Sequence, residues 1–142
     1  MSALLDIVTT HYRGMESGDL DLGAFGFDSD VVTQTPNGTL QGVAEFRGLM
    51  DAFWTAAPDS RHRIVRATET GDTIVVEGVY SGTHTGWLAS PQGPIPATGQ
   101  AFAFPYADVF QVRDGKVASH AIYWDNMTFL GQLGLLPVGM TD

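Results

Sequence analysis

Apolar residues Leu4, Leu5, Val8, Tyr12 and Met15 recur at intervals of three and four along residues 3–16, the period of an amphipathic helix that Ser2 is placed to cap. Ser17-Gly18-Asp19 ends the run, and the looser stretch LDLGAFGF (20–27) has room for a second short helix. Residues 30–36 read as a strand with Asn37-Gly38 as a tight turn. A second long helix follows in VAEFRGLMDAFWTA (43–56), where Phe46, Leu49, Met50, Phe53 and Trp54 share one face ahead of Pro58-Asp59. The pattern then switches to period two. Strands are expected at 61–70, 73–84, 100–113 and 116–125, with turns at Gly71-Asp72 and Asp114-Gly115. The Gly/Pro-rich segment GWLASPQGPIPATG (86–99) is long for a plain connection, a length that goes with function or with disorder. Helices first and then antiparallel strands predict an α+β fold, helices on one face of a curved sheet, in one domain over residues 1–142.

The last hairpin carries the most chemistry. A two-residue Asp114-Gly115 turn sets Arg113 opposite Lys116, which continues to Asp125 opposite Phe104, Tyr123 opposite Tyr106 and Ala121 opposite Asp108. Those six then share a face, leaving Trp124, Ile122, His120, Val109 and Ala107 on the other. In this register Asp108 and Asp125 stand roughly 13 Å apart along the ladder, too far to share a proton. A one-residue bulge inverts the assignment. A sheet apolar on both faces needs helices over one and a second subunit over the other. A homo-oligomer, at least a dimer, is therefore expected through Ala107, Val109, Ile122 and Trp124, unless the C-terminal LGLLPVGM (133–140) covers them.

Composition narrows the partners. Seven Lys and Arg against sixteen Asp and Glu give a formal charge of −9, which disfavours nucleic acid and anionic membranes. The densest basic stretch, RHRIVR (61–66), alternates along a strand. Cysteine is absent, excluding disulfides and thiol chemistry. The N-terminal segment lacks signal-peptide character and no apolar run reaches the ~20 residues of a membrane span, so a cytoplasmic protein is expected. The four His form neither HxH nor HExxH, and no phosphate-binding glycine motif occurs, so no metal and no nucleotide cofactor is expected.

GVYSGTHTGW (78–87), PATGQ (96–100), DVFQVRDGKV (108–117) and YWDNMTFLGQLG (123–134), in this order, resemble the SnoaL-like polyketide cyclases; GDLD (18–21) and APDSRHRIVRATETGD (57–72) extend the likeness over nearly the whole chain. The resemblance implies the cone-shaped fold of the nuclear transport factor 2-like superfamily, in which helices close a bent sheet around a deep apolar pocket. It implies cofactor-free aldol ring closure of an aromatic polyketide ester, with the acid/base aspartate near the end of the last strand matching Asp125. One departure is FWTAAPD at the exit of the second helix, where the family commonly has phenylalanine directly before PD.

Asp125 therefore has two readings: a helix cap, or, with Asn126 capping instead, a base in an apolar pocket where desolvation raises its pKa. Asp108 is either a second polar pocket group or a strand residue bonded to a helix end or an arginine. His84 is a catalytic hydrogen-bond partner or a histidine satisfied by loop backbone. His120, placed on the face away from Asp125, reads as structural, and His11 and His62 as surface residues. Tyr106, Tyr123, Phe104, Trp87, Tyr12, Met50 and Trp54 are the expected substrate contacts, against a plain core role for Tyr12, Met50 and Trp54. The leading function is a polyketide-cyclase-type enzyme taking a small hydrophobic, aromatic ligand. The alternatives are isomerase or dehydratase chemistry on the same fold, or a non-catalytic ligand-binding dimer.

Overall fold

The computed structural model describes residues 2–90 and 93–136. In chain order the elements are α1 (Ala3–Ser17), α2 (Leu20–Gly23), β1 (Phe27–Thr35), β2 (Gly38–Gln41), α3 (Gly42–Ala56), β3 (Arg61–Thr70), β4 (Thr73–Thr83), β5 (Ala101–Arg113), β6 (Lys116–Trp124) and α4 (Asn126–Gln132). The α+β class agrees with the hydrophobic pattern, and the two long helices and last four strands fall where it put them to within a residue; β1 begins at Phe27, three residues before the expected strand, and Gly38–Gln41 adds a short strand. The six strands form one sheet in the order β2-β1-β6-β5-β4-β3, with every pairing antiparallel except β1 against β6.

Local chemistry explains the helices. Ser2 Oγ accepts from Leu5 N at 2.9 Å and caps α1, and Gly18 ends it with φ 75°. The α1–α2 corner is tight because Gly14 lies on the backbone of Gly23; a Cβ there would sit 2.1 Å from Gly23 N. α1 and α3 turn Val8, Tyr12, Phe46 and Met50 onto the concave side of the sheet, against Phe27, Val31, Ile74, Val76, Phe110 and Val117. Each such large side chain contributes roughly 1.5–3 kcal/mol on burial.

The hairpin β5–β6 departs from the regular register in a way that decides the site. Arg113 pairs with Lys116 and Val112 with Val117, but Gln111 then pairs with Ser119, so Ala118 is an extra residue in a bulge. Beyond it Asp108 faces Ile122 and Tyr106 faces Trp124, in place of the expected Ala121 and Tyr123. The side-chain parity of β6 is inverted with respect to an unbulged ladder. His120, Ile122 and Trp124 point into the cone, and Tyr123 points out. This corrects the expected oligomer face: Ile122 and Trp124 line the interior. Of the LGLLPVGM segment, residues 137–140 lie outside the described residues.

The segment after β4 closes on itself as a short arm. His84 N donates to Gln100 O and Gly99 N to His84 O, while Leu88 bridges Ile95 and the N–H groups of Thr85 and Gly86 both reach Ala56 O. Among the described residues no helix is long and apolar enough to cross a membrane.

Candidate active site

The concave side of the sheet and helices α1 and α3 enclose a narrow cavity of about 50 Å³. Its walls are Phe46, Met50, Phe104 and other apolar side chains, with polar groups at Asp108, His11, His62, His120, Tyr80 and Tyr106. Among the described residues, Asp108 is the one carboxylate on this lining. Its side chain is 5% exposed, because β5 buries every second residue from Phe102 to Phe110.

Two hydrogen bonds hold Asp108. The Tyr12 hydroxyl donates to Oδ2 at 2.5 Å across from α1, and His120 Nε2 lies 3.3 Å from Oδ1 on the neighbouring strand. Burial pushes the Asp108 carboxyl up, but the hydrogen bond and charge of His120 and the Tyr12 hydroxyl outweigh it and hold the group below its ordinary 3.8. Tyr12 is driven the opposite way, first by burial and then by the Asp108 charge, so it stays a protonated donor. The His120 ring stacks on Phe110 at 4.3 Å and has Phe27 and Phe46 at its edges. His11, fully buried beside it, has its pKa pushed down to about 3, by desolvation first and His120 second, and rests neutral against Gly23 O at 2.8 Å.

The residues expected from the sequence do not all meet at the cavity. Asp108, Tyr106, Phe104 and Met50 line the cavity, and Tyr12 meets it through Asp108. Trp54 instead packs over Gly18, where a Cβ would lie 2.5 Å from its ring. Tyr123 and Trp87 are 58% and 57% exposed and lie away from the lining. His84 is buried in the arm, away from the lining: Nδ1 lies 2.9 Å from Thr98 Oγ1 and accepts from Thr98 N at 3.2 Å, and its Nε2 has no hydrogen-bond partner among the described residues. Burial pushes its pKa down.

Asp125 is the main correction. It caps α4: Oδ1 accepts from Met127 N at 2.9 Å and Thr128 N at 3.3 Å, and Oδ2 from the Thr128 hydroxyl at 3.0 Å. The side chain is exposed on the outer face, and the backbone and side-chain hydrogen bonds from Thr128 hold its carboxyl below the ordinary range. Asn126, the alternative cap, is occupied elsewhere. Its Oδ1 accepts from Trp124 Nε1 at 2.8 Å and its amide donates to Asn37 Oδ1. His11, His120, His62, Trp124 and Ile122 are the lining residues that sequence reasoning put elsewhere; His11, expected at the helix surface, is 3% exposed. For the residues of β6 the bulge is the reason, and nothing in the local pattern around Ala118 marks it. For His62 the alternation of RHRIVR already set it opposite its arginines, which was signal enough to aim it inward.

The bent sheet, the closing helices and a polar group inside an apolar cone define a ketosteroid isomerase-like, nuclear transport factor 2-like fold. A protein of that fold from Catenulispora acidiphila, solved with trimethylamine, matches with a TM-score of 0.75 at 22% identity over 92% of this chain and 94% of the other. The chain belongs to the SnoaL-like polyketide cyclase family, whose model matches residues 5–133. IdmH from Streptomyces antibioticus, described as a candidate polyketide cyclase, is similar at 27% identity and TM-score 0.76, over 92% of this chain and 98% of its own. A protein from Jannaschia sp. CCS1 described as a candidate SnoaL-like polyketide cyclase superposes with TM-score 0.82 at 16% identity, over 95% and 94%. Among curated proteins none matches the chain. Among the described residues no three His, Asp or Glu side chains come together in a way that could hold a metal ion.

The capping geometry makes a prediction about Asp125. Asp125→Ala lowers the melting temperature by a few degrees, because two N–H groups of α4 lose their acceptor, while turnover per folded molecule is unchanged. Thermal melts followed by circular dichroism, paired with activity at matched folded concentration, check it. A variant that melts like the wild type but has lost turnover contradicts the cap assignment.

Proposed function

We propose that the protein is a cofactor-free cyclase-type enzyme in which Asp108, rather than Asp125, is the acid/base. The observation that carries this reading is a buried, hydrogen-bonded carboxylate, the one carboxylate among the described residues on the lining of a largely aromatic and apolar cavity. The substrate is a small hydrophobic molecule whose reacting C–H is flanked by carbonyls. Such activation is required because one carboxylate contributes only about 10²–10⁴-fold, and the pKa of Asp108 is held down. Asp108 takes the proton and the C–H electron pair becomes the enolate. The enolate carbon then forms a bond to a carbonyl carbon of the same molecule, and the alkoxide so produced takes a proton back. Tyr12 and His120 fix the carboxylate and keep it ionised between turnovers.

A cavity of about 50 Å³ is smaller than the ~300–1,000 Å³ of ordinary ligand pockets. A ring-bearing substrate therefore enters by displacing the half-buried side chains Met15, Leu49, Phe53 and Trp124 that contribute to the lining. The unbranched Met15 is the easiest of these to move.

The reading extends to a second copy of the chain on the outer face of the sheet. Val65 and Tyr123, 62% and 58% exposed, share a shallow groove there with Val79, Pro105 and Ala107. Tyr123 takes the place that the unbulged register assigned to Trp124. Apolar exposure of this kind in a chain with only 16% charged residues supports a homodimer.

Two measurements test these readings. Deuterium exchange at the central carbon of pentane-2,4-dione, followed by proton NMR, is accelerated above the buffer background by the wild type. In Asp108→Asn the protein-dependent rate drops by roughly 10²–10⁴-fold with the circular dichroism spectrum retained. Equal exchange by folded wild type and variant overturns Asp108 as the base. For the assembly, light scattering gives a dimer for the wild type and a folded monomer for Tyr123→Glu; a monomeric wild type overturns the interface.

A further inference from the structure

A second histidine–carboxylate pair reaches the same cavity, and the steps above leave it unused. His62 on β3 lines the cavity with its side chain 7% exposed. Glu16 on α1 accepts from it twice through one oxygen: the His62 backbone N–H reaches Oε2 at 2.7 Å and ring Nδ1 lies at 3.0 Å. Burial pushes Glu16 up, but the side-chain and backbone hydrogen bonds from His62, and then the charges of His62 and Arg61, bring it below its ordinary value. An ionised carboxylate only accepts, so Nδ1 carries the hydrogen. Nε2 is then the ring nitrogen left for a ligand.

The ring is held in place from three sides. It stacks on Tyr12 at 4.0 Å with planes 5° apart, and Tyr80 and Tyr106 stand at 4.8 and 5.6 Å. Tyr12 is thus the common neighbour of two groups. Its face carries His62 and its hydroxyl holds Asp108.

The chemistry of a weak base calls for a partner. With Asp108 held below its ordinary pKa, proton removal from carbon is favourable only where the developing oxyanion meets a donor. The Tyr12 hydroxyl and His120 Nε2 are both committed to Asp108. The Tyr106 hydroxyl is turned against the sheet over Gly78, where a Cβ would lie 2.7 Å from it. Of the histidines on the lining, His62 is the one paired through Nδ1 with a carboxylate that is not itself on the lining, which orients the ring toward the cavity.

We infer that His62, oriented by Glu16, is the donor that receives the enolate oxygen formed when Asp108 removes the proton. The inference rests on the reading of Asp108 as the base and deepens it. The proton leaves the carbonyl-flanked carbon for the Asp108 carboxylate, and the C–H pair delocalises onto the carbonyl oxygens. One of these accepts from Nε2–H of His62, which acts as donor in the form that carries hydrogen on both ring nitrogens, Nδ1–H to Glu16 and Nε2–H to the enolate oxygen. No oxidant, reductant or further reactant enters. Glu16 is a positioning residue: it acts only through the His62 ring.

The test separates enolate binding from proton removal, using pentane-2,4-dione, whose enolate absorbs in the near ultraviolet. At fixed pH near neutral the wild type increases the enolate absorbance on binding. His62→Phe keeps the stacked ring without the donor, and His62→Gln is the second variant, so that one folded protein suffices, judged by circular dichroism. Both weaken enolate binding by roughly 10- to 100-fold, the range of one hydrogen bond to a charged group. Asp108→Asn keeps the enolate signal while losing exchange at carbon. Glu16→Gln weakens the enolate signal less than either His62 variant, and Glu16→Asp restores part of it. Undiminished enolate binding in a folded His62 variant overturns the inference and leaves Asp108 as base standing. A His62-dependent enolate signal with no exchange by the wild type overturns the base and leaves the donor standing.

Discussion

The fold depends on keeping one carboxylate satisfied away from water. An unpaired buried carboxylate costs several kcal/mol, and Asp108 avoids that cost only if α1 brings Tyr12 and β6 brings His120 to its two oxygens. The requirement ties a helix at the start of the chain to strands near its end. Glu16, one turn further along α1, ties the same helix to β3 through His62. The two polar links lie on one helical face, so α1 closes the cone in a fixed rotation as well as a fixed position.

The apolar surroundings sharpen the electrostatics in opposite directions. Neutral groups stay neutral: His11 is held uncharged against a backbone carbonyl, and burial pushes Tyr80 up to about 12. Asp108 stays charged because its partners are hydrogen-bond donors within reach. The cavity wall therefore presents a single anion beside aromatic rings, an arrangement suited to removing a proton from a hydrophobic molecule.

Much of this was legible in the sequence, and the failures have identifiable physics. Helical periodicity in residues 3–16 and 43–56, and the Gly and Asp turns between strands, marked the elements because each is a local property. The family motifs named the fold. Asp108, Tyr106 and Phe104 lie on β5, whose parity runs unbroken along the site, and they were correctly aimed together. The residues of β6 were not, because one extra residue at Ala118 turns the strand over, and alternation carries no mark of where a ladder skips. Asp125 follows from the same error. Once β6 is inverted its side chain faces out, and a short polar side chain at the start of a helix finds the free N–H groups of α4. The choice between Asp125 and Asn126 as cap was open in sequence because both types cap well. The indole of Trp124 decides it by engaging Asn126.

The central claim is that Asp108 is an ionised carboxylate inside the cone at neutral pH. Difference infrared spectroscopy of wild type against Asp108→Asn reads that state directly. The account predicts that the lost band is a carboxylate stretch, unchanged as the pH is lowered from neutral towards the ordinary carboxylate range. Loss of a protonated carboxylic acid C=O band at neutral pH would contradict it.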